Sequence, residues 1–243
     1  MKIVVFNGSP RAEDGNTHRM VREFAAGAEE AGAEVENVFL AHHEIRPCTG
    51  CFACWTRTPG TCRLEDDAPE LVRKTLDVDL VVYATPLYVD NVSGLTKVFM
   101  DRMIPLADPH FEFDASGETV HVVRRQRRPR LGVISNCGFP EQSHFQVLRL
   151  LFRRIARNLQ TELAVEIYRG GGEALNSRNP LLKPTLAKYN RLLRTAGREV
   201  AETGRLSEDT TARLEAPIVP AGLYVKGANR HWDRALNRTE SDG

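Results

Sequence analysis

The sequence predicts an α/β chain, a doubly wound parallel sheet of five strands with helices between them, and two observations carry that reading. Short apolar runs of strand length alternate with stretches whose apolar residues recur at helical spacing. The runs are apolar nearly throughout rather than alternating, which suits strands buried on both faces of a parallel sheet.

Ile3 to Phe6 is the first run. Asn7-Gly8-Ser9-Pro10-Arg11 breaks it, and Gly15-Asn16-Thr17 offers a flexible joint followed by side chains suited to capping a helix. That helix continues through Met20, Val21, Phe24, Ala25 and Ala28 and stops near Gly32. Val35 to Leu40 reads as the second strand, completing one right-handed βαβ unit. Ala41 to Glu65 has no convincing periodicity, and a structureless connection of that length inside a compact domain is usually functional. Asp67, Pro69 and Glu70 then announce a helix with an N-cap acid, an early proline and a capping-box glutamate.

Asp79 to Ala84 is the third strand, ending at Thr85-Pro86-Leu87-Tyr88. Asn91-Val92-Ser93-Gly94 leads into a helix bearing Leu95, Val98, Phe99 and Met103, on which Lys97, Asp101 and Arg102 are spaced for surface ion pairs. Phe111 to Val123 reads as a β excursion turning at Ala115-Ser116-Gly117, followed by the basic run Arg124 to Arg130. Leu131 to Ile134 is the fourth strand, with Ser135 to Pro140 as its terminal loop, and Gln142 to Leu159 is an apolar-striped helix. Leu163 to Tyr168 is the fifth strand, ending in Gly170-Gly171-Gly172. Pro184 and Thr185 open a helix that closes at Gly204, and a shorter one follows Ser207. The tail from Ala216 to Gly243 has no strong pattern, although Ile218, Val219, Leu223, Tyr224, Val225 and Trp232 are too apolar for free solvent.

A chain of 243 residues with 42% hydrophobic and 27% charged content is large enough for one well-buried core. The expected division is a core over residues 1–205 and an extension over 206–243 that packs on the core or on a partner subunit. A formal net charge of +1 gives no global field to recruit nucleic acid or membrane. No apolar run approaches a membrane span, and a strand rather than a secretory signal opens the sequence, so a cytoplasmic protein is expected. Of the five cysteines, Cys48, Cys51, Cys54 and Cys62 lie within 15 residues, which in a reducing compartment argues for metal or redox use.

A strand, a small-residue turn and a helix start make an anion site, because the first helical N–H groups lack partners and the dipole favours negative charge. Ser9 and Thr17 offer hydroxyls, Asn16 an amide and Arg11 a charged fork. Neither the three-glycine dinucleotide fingerprint nor the Gly-Lys-Ser/Thr ending of a P-loop is present, which steers the expectation to a mononucleotide phosphate. The loop after the third strand is a second wall, since ligands in open α/β sheets sit beyond the carboxyl ends of strands. There Pro86 fixes the chain, Tyr88 offers a flat ring, and the N–H groups of Leu87 and Tyr88 face the edge of a flat heterocycle. The alternative is that both loops are plain connections.

Asn7-Gly8-Ser9-Pro10-Arg11 followed by Gly15-Asn16-Thr17 resembles the phosphate loop of the flavodoxin-like NADPH-dependent FMN reductase family. The resemblance runs from Lys2 to about Tyr168 and implies the strand order 2-1-3-4-5. It implies FMN with its phosphate at the first turn, its isoalloxazine against Pro86, Leu87, Tyr88 and Asn91, and Ser135, Asn136 and Gly138 on the other side. It further implies an oxidoreductase passing electrons from NADPH or NADH to a quinone, a free flavin or another small acceptor, with no obligatory protein acid or base because the chemistry is the flavin's. The segment from Tyr224 to Trp232 is similar to one that embraces the partner subunit in that family, so a homodimer or higher homo-oligomer is expected.

Cys48, Cys51 and Cys54 are spaced C-x2-C-x2-C, a run that lets a short loop wrap three irons of a [4Fe–4S] cluster, with Cys62 available as the fourth thiolate. Four thiolates also suit zinc, though usually as two separated pairs, and free or redox-active thiols are the third reading. The motif resembles the compact cysteine motif of the iron-sulfur flavoproteins, which implies an electron carrier relaying electrons from ferredoxin through the cluster to FMN. A minimal flavodoxin shuttle would need neither the long cysteine loop nor the extended tail. His42 and His43 read as exposed loop residues and Cys137 as a small buried residue near the flavin. The run from Arg124 to Arg130 is either a solvated face or a site for the 2′-phosphate of NADPH or an acidic partner protein.

Overall fold

In the computed structural model, residues 1–124 and 128–241 are described, so residues 125–127 of the basic run lie outside the described part. Lys2–Asn7 forms β1, buried from Ile3 onward, and Asn16–Glu30 forms α1. Glu34–Phe39 is β2, Ala53–Thr56 a single-turn α2, and Ala68–Arg73 the short α3. Leu80–Pro86 is β3, buried at every position, and Gly94–Asp101 is α4. Ala107–Phe113 and Thr119–Val123 are β4 and β5, an antiparallel pair outside the main sheet, in agreement with the predicted excursion. Arg130–Asn136 is β6, Gln146–Asn158 is α5 and Leu163–Arg169 is β7. Lys183–Thr203 is α6, Glu208–Glu215 is α7 and Ala221–Ser241 is α8.

The main sheet runs β2-β1-β3-β6-β7 with every pair parallel, which is the order 2-1-3-4-5 once the β4–β5 excursion is set aside. Successive side chains of a strand point to opposite faces, so one run feeds two cores. Ile3 and Val5 join Met20, Phe24, Leu193 and Val200 under α1 and α6, and Val4 and Phe6 join Leu71, Phe99, Leu148 and Phe152 under α3, α4 and α5. On the first face α1 and α6 touch backbone to backbone. A Cβ added to Gly27 would stand 1.9 Å from the carbonyl oxygen of Arg194, and one on Gly197 would stand 1.9 Å from that of Phe24.

The tail differs from its expectation. Residues 221–241 form a 21-residue helix, with Leu223, Val225, Trp232 and Leu236 exposed along it. Its apolar residues are too few and too widely spread for the pattern to register in sequence alone. Its start meets the core: the ring of Tyr224 lies beside Gly171, where φ is +64°. Just upstream, Leu214 of α7 is fully buried in the first core, and Ile218 packs against it.

A second difference concerns Arg102. The sequence places it with Lys97 and Asp101 as a surface ion pair, and Lys97 does bond Asp101 across 2.7 Å. Arg102, however, is fully buried, because it falls three residues after Phe99 on the face that α4 and its last turn turn inward.

Candidate functional site

The carboxyl ends of β1, β3, β6 and β7 share one edge of the sheet, and the predicted loops meet there. Gly15 is the N-cap of helix α1 and no side chain caps it, so Asn16 and Thr17 lie inside its first turn instead of capping it. Both are buried, and their polar groups are left for other partners. Asn136 Nδ2 donates to Thr17 Oγ1 at 2.8 Å, tying the end of β6 to the start of α1. Asn7 Oδ1 accepts the amide of Ser9 at 3.1 Å, and Ser9 Oγ accepts the amide of Arg11 at 3.3 Å, which curls the loop over itself. A Cβ on Gly15 would stand 2.4 Å from Ser9 Oγ, so the residue before the helix has to be the smallest one.

Several polar atoms at this edge have no protein partner among the described residues. They are Nδ2 of Asn7, both side-chain polar atoms of Asn16 and Oγ of Ser135. Each is buried, and leaving a buried polar group unpaired costs about 1–3 kcal/mol. Such atoms gathered at a helix N-terminus are the mark of a site built for a polar guest.

Arg11 points elsewhere: its guanidinium pairs with Glu173 across 3.3 Å, and both side chains are about half exposed. Gly138 is exposed with open space where a Cβ would stand, so crowding does not require a glycine there.

The second wall is sewn to the first. The hydroxyl of Ser93 caps α4, accepting the Thr96 amide, and donates to the Gly8 carbonyl at 2.6 Å. The hydroxyl of Thr85 accepts the amide of Ser93 at 2.9 Å. Sequence reading names Asn7, Thr85 and Ser93 within their loops but gives none of them a role, and a hydroxyl or amide at the end of a buried strand is the signal that marks the first two.

Tyr88 and Asn91 exchange both backbone hydrogen bonds, at 2.9 and 3.1 Å, around Val89 and Asp90 at φ 49° and 57°. That is a type I′ turn made without glycine, strained at a β-branched residue. It leaves the ring of Tyr88 half exposed at the sheet edge. The Leu87 N–H donates to the Asn136 carbonyl at 2.8 Å and the Tyr88 N–H to that of Asn91. The two amides expected at the edge of a heterocycle are therefore committed within the protein, because β3 pairs with β6 out to Pro86 and the turn closes on itself.

The cysteine loop is less irregular than its sequence suggests. Glu44 and Asp67 exchange hydrogen bonds at its base, and Asp66 accepts the Arg46 amide at 2.8 Å. Asp67 stands at the N-terminus of α3 as predicted, but its carboxylate holds Glu44 and His43 instead of capping the helix. His42 is exposed, as expected, and His43 is half-buried against Asp67.

Left-handed conformations at Gly50 and Phe52, φ 63° and 50°, turn the chain on either side of Cys51. Trp55 stacks on Phe52 at 4.8 Å and donates from Nε1 to the Ile104 carbonyl, fastening the loop to the end of α4. Cys48, Cys51, Cys54 and Cys62 all line one pocket, together with Phe52, Arg102 and Pro105 among others. Among the described residues no three His, Cys, Asp or Glu side chains converge closely enough to hold a single metal ion. Burial and then the neighbouring thiols raise the Cys54 thiol above its ordinary value, whereas the Ala53 amide and the Thr49 hydroxyl lower that of Cys51. Cys137 is buried at the end of β6, its thiol directed at the Phe139 carbonyl. Among the described residues, no helix is long and apolar enough to cross a membrane.

The family model described as NADPH-dependent FMN reductase matches residues 1–121. An iron-sulfur flavoprotein of Methanocaldococcus jannaschii is 40% identical over 106 residues, 44% of this chain and 53% of that protein. An iron-sulfur flavoprotein of Archaeoglobus fulgidus is 40% identical over 105 residues, 43% of this chain and 46% of that protein. The matched stretches thus span about half the length of these curated relatives.

Among solved structures, an FMN-dependent NADH-azoreductase from Bacillus anthracis in complex with FMN superposes with TM-score 0.60 at 16% identity, covering 82% of this chain and 99% of that one. An NAD(P)H:quinone oxidoreductase from Methanothermobacter marburgensis gives TM-score 0.59 at 15% identity, covering 82% and 98%. Those two likenesses concern the fold. The chain is flavodoxin-like in architecture, and its residues 1–121 match the model of the NADPH-dependent FMN reductase family.

Proposed function

We propose that this protein binds FMN across the carboxyl edge of its sheet and acts as an NAD(P)H-dependent oxidoreductase that delivers electrons to a quinone, a flavin or another small acceptor. The observation that carries the proposal is the set of buried polar atoms without partners at Asn7, Asn16 and Ser135, next to the first turn of α1. A phosphate and a polar heterocycle supply the partners those atoms lack.

Ser9, Asn16 and Thr17 hold the phosphate, and Thr17 is prepared for it: its oxygen already accepts from Asn136, which leaves its hydroxyl hydrogen free to donate. Arg11 reaches the phosphate only by leaving Glu173. Pro86, Leu87, Tyr88 and Asn91 form one wall for the ring, with Tyr88 as the exposed flat surface, and Ser135, Asn136 and Gly138 form the other. Bound flavin supplies hydride acceptance and one- or two-electron release. The chain's own part is to bind, orient and shield. A cytoplasmic setting keeps the thiols of the cysteine loop reduced.

A second reading is favoured by the pocket that Cys48, Cys51, Cys54 and Cys62 share and by the names of the relatives above. In it the four thiolates hold a [4Fe–4S] cluster, which supplies one-electron transfer, and the electron donor is a ferredoxin rather than a nicotinamide. The C-x2-C-x2-C run of Cys48, Cys51 and Cys54 suits a multi-iron cluster better than a single zinc, whose thiolates usually come as two separated pairs. The exposed apolar residues of α8 support assembly into a homodimer or higher homo-oligomer, with residues 206–243 as the extension that makes it.

Anaerobic purification tests the proposal. Flavin absorption bands are expected, and colourless protein that takes up no FMN overturns it. Bleaching of the flavin by NADPH or NADH in stopped flow favours the reductase. Bleaching by reduced ferredoxin alone, with iron and acid-labile sulfide present, favours the carrier.

A further inference from the structure

Neither wall of the FMN edge uses Arg102, yet its side chain is completely buried. Its guanidinium is shared among three elements of the cysteine loop. Nη1 donates to Asp66 Oδ2 at 2.6 Å and to the Arg46 carbonyl at 2.7 Å, and Nη2 donates to Asp66 Oδ1 at 3.0 Å and to Cys62 Sγ at 3.2 Å. Asp66 is equally buried and is held in turn by the amides of Arg46 and Ala68.

Taking two charges out of water costs several kcal/mol per ion, which is regained only with good geometry and further hydrogen bonds. A pair so placed, with one donor spent on a sulfur, calls for a purpose beyond stability. The sequence leaves Cys62 the least constrained of the four cysteines, because seven residues separate it from Cys54 whereas the other three follow one another closely. Arg102 supplies from α4 the constraint that the loop lacks. Only a planar fork can serve the carboxylate and the sulfur at once, which an ammonium cannot do.

We propose that Arg102, held by Asp66, is a positioning residue for the cysteine site: it hydrogen-bonds Cys62 as a thiolate ligand, fixes that ligand in the pocket and raises the reduction potential of a [4Fe–4S] cluster bound there. The proposal rests on the cluster reading of the four cysteines. A hydrogen bond to a ligand sulfur stabilises the more negative, reduced cluster, and partners of this kind are typically worth 10–100-fold in metal affinity.

The test uses the 243-residue chain, purified anaerobically, as wild type, R102K and R102M/D66L. The double variant removes both charges together and leaves no unpaired ion buried. Three quantities are read: FMN content, iron and acid-labile sulfide per chain, and the cluster's midpoint potential by redox titration followed by electron paramagnetic resonance. FMN content is expected to stay at the wild-type value in both variants. In R102M/D66L the equilibrium constant for cluster reduction is expected to fall about tenfold, a shift of about 59 mV for a one-electron couple, or iron affinity to fall about tenfold. R102K is expected to lie between the two.

Wild-type iron content and potential in R102M/D66L overturn the role of Arg102 and leave the cluster reading standing. A wild-type protein that takes up no iron and sulfide overturns the cluster reading, and this inference with it. Should the double variant fail to fold, R102K decides by the same readouts.

Discussion

Asn136 at the end of β6 donates its side-chain amide to the hydroxyl of Thr17 in the first turn of α1, 2.8 Å away and 119 residues apart in sequence. This bond sets the orientation of the Thr17 hydroxyl, whose hydrogen is then available to an anion at the helix start. Replacing Ser9 and Thr17 together by alanine is therefore expected to release FMN. A hydrogen bond to a charged group is worth about 1.5–3 kcal/mol, so affinity should fall by roughly tenfold or more for each hydroxyl lost. Fluorescence titration of the apoprotein with FMN measures it, and unchanged affinity counts against the phosphate assignment.

The Tyr88–Asn91 turn offers a second check. Val89 at φ 49° is fully exposed and β-branched, so nothing that it touches repays its strain. V89N with D90G, the pair that a type I′ turn prefers, is expected to raise stability by about 1 kcal/mol or more in urea unfolding. Lower stability would mean that the turn is held by something other than its backbone.

The crossing of α1 and α6 leaves no room for a methyl group. Gly27→Ala or Gly197→Ala puts a Cβ 1.9 Å from a backbone oxygen, which no rotamer change relieves. Each is expected to cost about 1–3 kcal/mol, read as a lower thermal midpoint by circular dichroism. Gly222→Ala, with open space at its Cβ, is the control and should leave the midpoint in place.

Acid sensitivity should trace to Asp66. Burial pushes its carboxyl upward, but the bonds from Arg102 and from the Arg46 and Ala68 amides outweigh that and hold it below the ordinary value. A carboxyl lowered on folding contributes stability that is full above its unfolded value, about 3.9, and is lost as pH falls through the folded one. Urea unfolding between pH 5 and pH 2 should therefore show a shallower loss below about pH 4 in R102M/D66L than in the wild type. Equal slopes in the two proteins would remove Asp66 from the account.

Much of this molecule is legible along the chain. The runs Ile3 to Phe6 and Leu80 to Ala84 are apolar because strands at the centre of a parallel sheet are covered on both faces, and that requirement is local enough to read. The same holds for the breaks: Gly8, Pro86 and Gly138 fall at strand ends, where an open α/β sheet puts its loops, so the edge that carries the candidate site follows from the pattern. The spacing of Cys48, Cys51 and Cys54 is likewise a local property.

What the chain could not announce is how groups far apart divide their hydrogen bonds. Asn136 meets Thr17, the Leu87 amide turns to Asn136, and Arg11 turns to Glu173, all through contacts between segments brought together by folding. Arg102 is the plainest instance. Its spacing after Phe99 marks the buried stripe, but a charge on that stripe is tolerable only because Asp66 arrives from a loop 36 residues away. The sequence by itself determined the strands and the edge where a ligand would lie, since these follow from periodicity and from turn chemistry, while the order of the strands came from the resemblance to a known family. Tertiary structure alone decided which polar atoms were left free at that edge and which charge was set beside the thiols, because burial and pairing are properties of the packed molecule.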